Sequence, residues 1–135
     1  MFNKVLLLDD NKATNFIHTK FLKQSDACNE IVSFLTGKDA LEHLQDKDNV
    51  FPDLIISDIN MPTMDVWEFL DLYNAIERSV KTNPKIILLT TSLSPEDNER
   101  IKAYPMVSQI INKPLDKRAI QNLIEKFIKG EDSQQ

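Results

Sequence analysis

The chain has 135 residues, 41% hydrophobic and 27% charged, with a formal net charge of -5. That is enough for one domain with its own core, and the composition is that of an ordinary soluble globular protein. The negative balance argues against nonspecific binding to nucleic acid or anionic membranes, and no stretch approaches the ~20 apolar residues of a membrane span.

Residues 1–4 lack a secretory signal pattern and run straight into a buried strand, residues 4–8, that ends on Asp9 and Asp10. Residues 11–24 read as a helix, with Ile17 and Phe21 four apart and Thr14 and Phe16 nearby. Cys28 is the only cysteine, so no internal disulfide can form. It reads as a buried free thiol in a reducing compartment, the cytoplasm. A short strand covers residues 30–35, and Thr36 and Gly37 turn into a helix over 38–45 whose apolar face is Ala40, Leu41 and Leu44.

Pro52 and Asp53 punctuate the start of the next strand, residues 54–58 (L-I-I-S-D). A short apolar run bounded by turn signals is the mark of a strand buried on both faces, central in a parallel sheet. It stops on Asp58, and the chain turns at Pro62. Asp65 and Glu68 have capping-box spacing for a helix carrying Phe69, Leu70, Leu72, Tyr73 and Ile76, which Asn83 and Pro84 break. Residues 85–90 form another buried strand ending on Thr90. Ser94, Pro95, Glu96 and Asp97 start a helix that Tyr104 and Pro105 end. Residues 106–112 make the last strand, followed by Lys113 and Pro114. Asp116 caps a final helix with the stripe Ile120, Leu123, Ile124, Phe127 and Ile128. Gly130 ends it. The domain is expected to span residues 1–130, with 131–135 a short disordered tail.

Five strands alternating with five helices imply an α/β fold, a parallel sheet with helices on both faces. In such a sheet Asp9, Asp10, Asp58, Thr90 and Lys113 all emerge at one edge. Each has a bland alternative as a cap, a turn or a β-branched strand residue; the coincidence carries the information. Three carboxylates together would repel one another, and Mg²⁺ is the natural counterion for a few carboxylates and several waters. With an ammonium and a hydroxyl added, the edge suits a small tetrahedral dianion, and an aspartate can itself take a phosphoryl group as an acyl phosphate.

The motifs V-L-L-L-D-D, D-L-I-I-S-D-I-N-M-P-T-M-D, I-I-L-L-T and N-K-P-L, within residues 4–129, resemble those of response-regulator receiver domains of two-component signalling. The resemblance implies a flavodoxin-like (βα)5 fold with strand order 2-1-3-4-5. It implies Asp58 as phosphoacceptor, with Asp10, Asp58 and the Asn60 backbone carbonyl as Mg²⁺ ligands and Asp9 acting mostly through metal-bound water. Lys113 would contact the phosphoryl group, its bond to Pro114 would be cis, and Thr90 would be the switch hydroxyl. Asn60 and Ser92 match positions that tune hydrolysis. Three positions depart from the pattern: Ile110 where an aromatic switch is common, Val66 where glycine is usual, and Thr91 where a small residue is common. A positive φ at Val66 would strain a β-branched residue.

His18 and His43 lack a second histidine or cysteine at ligand spacing and read as structural. Trp67 reads as a rim or packing residue with an alternative as partner surface. Tyr104 and Met106 are core candidates lying where family members bind partners. The expected function is a stand-alone, non-enzymatic switch, phosphorylated by a sensor histidine kinase or phosphotransfer protein. It would act on an unknown downstream protein, with no nucleic acid or membrane involved. A relay receiver of a hybrid kinase system is the alternative. A haloacid-dehalogenase-like phosphatase is disfavoured, because Asn60 stands where that chemistry needs a second aspartate.

Overall fold

The computed structural model describes residues 2–76, 84–91 and 94–129, without the side chains of 128 and 129. The strands are β1 (Phe2–Leu8), β2 (Cys28–Phe34), β3 (Leu54–Asp58), β4 (Lys85–Thr90) and β5 (Val107–Asn112). They are all parallel, in the order β2-β1-β3-β4-β5. The helices are α1 (Lys12–Ser25), α2 (Gly37–Gln45), α3 (Val66–Asn74), α4 (Pro95–Arg100) and α5 (Lys117–Ile124). A 3₁₀ turn, Ile101–Ala103, follows α4, and a π-helical turn, Glu125–Lys129, follows α5.

The two-residue period of a strand divides the core into two layers. Leu6 and Leu8 of β1, Ile55 of β3 and Ile86 and Leu88 of β4 pack with Ala40, Leu41 and Leu44 of α2 and Val66, Phe69 and Leu70 of α3. Their neighbours Val5, Leu7, Leu54, Ile56, Ile87 and Leu89 pack on the other face with Leu22, Ile120, Leu123 and Phe127. The three central strands are apolar on both faces because helices cover both, as their continuous apolar runs predicted. Among the described residues no helix is long and apolar enough to cross a membrane.

Several expectations change on contact with the structure. The inward face of α1 is Asn15, His18 and Leu22, not Ile17 and Phe21. Phe16 is 70% exposed, Ile17 46% exposed and Phe21 half-buried. The cause is polar: the Asn15 amide donates to the carbonyls of Asp9 (3.0 Å) and Phe34 (3.1 Å), which turns that side of the helix toward the sheet. Val66 is not strained. Asp26 is the only described non-glycine residue with positive φ, and Val66 is fully buried at the start of α3, its N–H donating to the Ile59 carbonyl. Trp67 is 3% exposed and is therefore a packing residue rather than a rim or partner surface. Ile124 is only half-buried, while Tyr104, Met106 and Ile110 pack half-buried against the α2–α3 side. The expectations for Asn83, Ser92, the Ile128 side chain, Gly130 and the tail fall outside the described residues.

Capping follows the sequence closely. Asp65 accepts from the Glu68 N–H at 3.0 Å, Ser94 from Asp97 at 3.0 Å, and Asp116 from Ala119 at 2.9 Å. The N-cap of α1 is Asn11, which accepts from Thr14, so neither Asp9 nor Asp10 occupies that position.

Candidate functional site

The five residues expected to converge do so. Asp9 follows β1, and its N–H reaches the Phe34 carbonyl. Asp58 ends β3, and the next residue, Ile59, donates to Leu89 of β4. Thr90 ends β4, and its carbonyl accepts from the Lys113 N–H at 2.7 Å. Parallel pairing alone therefore brings these residues to the carboxyl edge of the sheet. Asp9, Asp58 and Thr90 are buried, while Asp10 is exposed. Carboxylate oxygens of Asp9, Asp10 and Asp58 lie within 4.8 Å of one another.

Lys113 crosses this cluster. Its Nζ lies 3.0 Å from Asp9 Oδ2 and 3.4 Å from Asp58 Oδ1. Burial works against its ammonium, but bonding and charge from Asp9 and then Asp58 outweigh this and hold its pKa above the ordinary lysine value. Burial pushes the Asp58 carboxyl up; Lys113 opposes that, Asp9 adds to it, and the Asn60 N–H partly offsets it. The bond between Lys113 and Pro114 is cis, as expected. Thr91 is exposed.

The sequence reading missed Asn15, which ties the carbonyl of Asp9 to that of Phe34. An amide four residues into a helix that follows an acidic pair is a weak signal, and only the inward rotation of α1 gives it meaning. His18, one turn further on, is 4% exposed. Burial pushes its imidazole below the usual 6.5, Asp9 pulls it up, and Lys113 pushes it down. A histidine kept neutral in the fold but free to protonate when unfolded costs stability as pH falls below 6.5 toward the lowered folded value. Denaturant titrations between pH 7 and about 5 should show that loss, and His18→Leu should flatten it. His43 lies elsewhere, its Nε2 2.7 Å from the buried Lys4 Nζ and its Nδ1 against the Asn49 amide. Neither histidine joins the acidic cluster. Cys28 is half-buried, and burial, then Asp53, push its thiol up, away from the reactive thiolate.

Fold and edge together place the protein among flavodoxin-like α/β proteins that work outside the carboxyl ends of their strands. A family model described as response regulator receiver domain matches residues 5–125. A two-component response regulator from Cytophaga hutchinsonii is 32% identical with a TM-score of 0.80, over 93% of this chain and 96% of that one. The chemotaxis protein CheY4 of Vibrio cholerae is 25% identical with a TM-score of 0.72, over 95% and 100%. Hybrid signal transduction histidine kinase L of Dictyostelium discoideum is 28% identical over 131 residues, 96% of this chain and 8% of the relative. The chain spans less than a tenth of the length of the curated relatives it matches. It belongs to the response regulator receiver domain family and is a receiver domain of two-component signalling.

Proposed function

We propose that Asp58 is the phosphoacceptor of a signalling switch, on the single observation that it lies buried beside Asp9, Asp10 and Lys113 at the sheet edge. An Asp58 carboxylate oxygen attacks the phosphorus of a phosphohistidine or of a small acyl phosphate. The donor's bond to phosphorus breaks, and Asp58 carries the phosphoryl group as a mixed anhydride. Lys113 exchanges part of its contact with the Asp58 carboxylate for the new phosphoryl oxygens, and the Thr90 hydroxyl supplies a further hydrogen bond.

Magnesium fits the acidic cluster, because one oxygen from each of three carboxylates falls within the span of a single small oxygen-ligated ion. Asp10, Asp58 and the Asn60 carbonyl would hold it, with Asp9 acting through water. Bound there, it neutralises charge on the phosphoryl oxygens. Asn15 fixes the strand end from which Asp9 and Asp10 project. Asn15→Ala should therefore weaken Mg²⁺ binding about tenfold, read by calorimetry.

The phosphodonor in this reading is a sensor histidine kinase or a phosphotransfer protein. Phe16 and Leu35 stand exposed and line one pocket with Asn15, which bonds the Asp9 carbonyl, and offer that donor an apolar surface. The compartment is the cytoplasm, in keeping with the single cysteine, and the output is binding to a downstream protein. Self-phosphorylation and loss of the group, without turnover of another substrate, are the only chemistry. Incubation with acetyl phosphate and Mg²⁺ should add one phosphoryl group by mass; an unchanged mass would refute the assignment.

A relay role is the second reading, favoured by the match to hybrid histidine kinases. Transfer from Asp58 to a phosphotransfer histidine faster than hydrolysis distinguishes it from a switch.

A further inference from the structure

The six residues of α4 bury no side chain of their own. Its last residue, Arg100, meets a small cluster around Trp67 of α3, while Ile101 of the following turn packs half-buried on the same core. The Arg100 guanidinium sits 5.3 Å from the Trp67 ring. The Trp67 and Tyr104 rings lie 5.2 Å apart, tilted by 39°. The Tyr104 hydroxyl donates to Asp71 Oδ1 at 2.9 Å. Trp67 itself is buried in the α2–α3 core.

The cluster lies where two segments leaving the site come together. One runs from Asp58 to α3, anchored by the Val66 N–H on the Ile59 carbonyl. The other runs from Thr90 to α4, with only residues 91–93 between Thr90 and the N-cap Ser94. On β5, Ile110 is aliphatic and packs against the core, so no aromatic ring at that position is available to couple the two.

We propose that Trp67, Arg100, Tyr104 and Asp71 form a latch that holds α4 and its following turn on α3 while Asp58 is a carboxylate bonded to Lys113, and that forming the acyl phosphate on Asp58 opens it. The inference rests on the phosphoacceptor assignment and names the moving part of the switch. Each contact is modest and partly exposed, so a charge change at one nearby site is enough to shift the balance. Recruitment of Thr90 to the phosphoryl oxygens pulls the start of α4, and Arg100 and Tyr104 withdraw from the indole. Contacts made in only one of two states are by necessity coupled to whatever selects between those states.

Trp67 is the only tryptophan, so the full chain reports on itself. With Mg²⁺ present, beryllofluoride is titrated as an acyl-phosphate mimic. Its binding is followed by fluorine NMR and the latch by Trp67 emission. The wild type should show a shift in emission to longer wavelength with the same midpoint as the fluorine signal. Tyr104→Phe keeps the ring and loses only the hydroxyl; it and Asp71→Ala should reach their midpoints at about three- to tenfold lower beryllofluoride. A bound fluorine signal with unchanged Trp67 emission would overturn the latch alone. So would variants that melt earlier but titrate at the wild-type midpoint. If Asp71→Ala does not fold, Tyr104→Phe decides. Absence of any bound fluorine signal in the wild type would remove the phosphoacceptor assignment, and the latch with it.

Discussion

Asp58→Asn is expected to take up no phosphoryl group from acetyl phosphate and Mg²⁺, while the wild-type chain gains one by mass. An amide oxygen lacks the charge to displace the donor's leaving group and would leave no stable anhydride. The same substitution should raise the melting temperature by a few degrees. Asp58 is 7% exposed and faces Asp9, and burial raises its pKa. The fold therefore favours the neutral side chain, and the ionised form at neutral pH subtracts from stability. Asparagine removes that charge at nearly the same shape. Magnesium should stabilise the wild type more than the variant, because one carboxylate is gone from the cluster. A variant that is still phosphorylated would move the acceptor to another residue, Asp10 first.

Lys113→Met should separate stability from chemistry in the opposite sense. The ammonium is the one side-chain cation seen bonded to both Asp9 and Asp58 among the described residues. Methionine keeps much of the chain length but leaves three carboxylates together with no fixed positive charge. Breaking a fully buried pair costs roughly 3–5 kcal/mol; with Lys113 partly exposed, solvent screening reduces this to about 2 kcal/mol in denaturant titrations without metal. Added Mg²⁺ should restore more stability than it gives the wild type, and should bind more tightly. Phosphorylation by acetyl phosphate should nevertheless slow by about 10- to 100-fold, because a preorganised charge on the transferring oxygens is lost. A variant as stable as the wild type without metal would show that Lys113 does not balance the acids.

Most of the fold was legible because its central strands are continuous apolar runs with clear caps between them. Residues 54–58 and 85–90 could be placed inside a parallel sheet from their apolar runs, the turn signals around them and the alternation of strands with helices, and the site followed because each run stops on a polar residue. Helix faces were harder. Ile17 and Phe21 have the spacing of a buried stripe, yet hydrogen bonds from Asn15 to two strand ends turn α1 the other way. Apolar periodicity carries no record of such a bond. Trp67 read as a rim or a packing residue, and its local sequence could not decide between them: part of what covers the ring, Tyr104 and Arg100, lies more than thirty positions away. The family's usual glycine at Val66 raised the question of a positive φ there, which would have strained a branched side chain. In this chain the position starts a helix with its N–H bonded to the Ile59 carbonyl, and a branched side chain is welcome there.

One consequence follows from a strand such as β1 being apolar on both faces. Val5 and Leu7 could exchange places with Leu6 and Leu8 at little cost in burial, so alternation does not tell this strand how far to slide. The information sits at its two ends. The Asp53 carboxylate accepts from the N–H groups of Asn3 and Lys4, at 2.7 and 2.9 Å, and Asn15 grips the carbonyl of Asp9. A slip of one residue would break both grips and swing Asp9 to the opposite side of the sheet. The polar ends of the strand thus act as its alignment marks, and loosening either one should misplace the acids before it unfolds the chain.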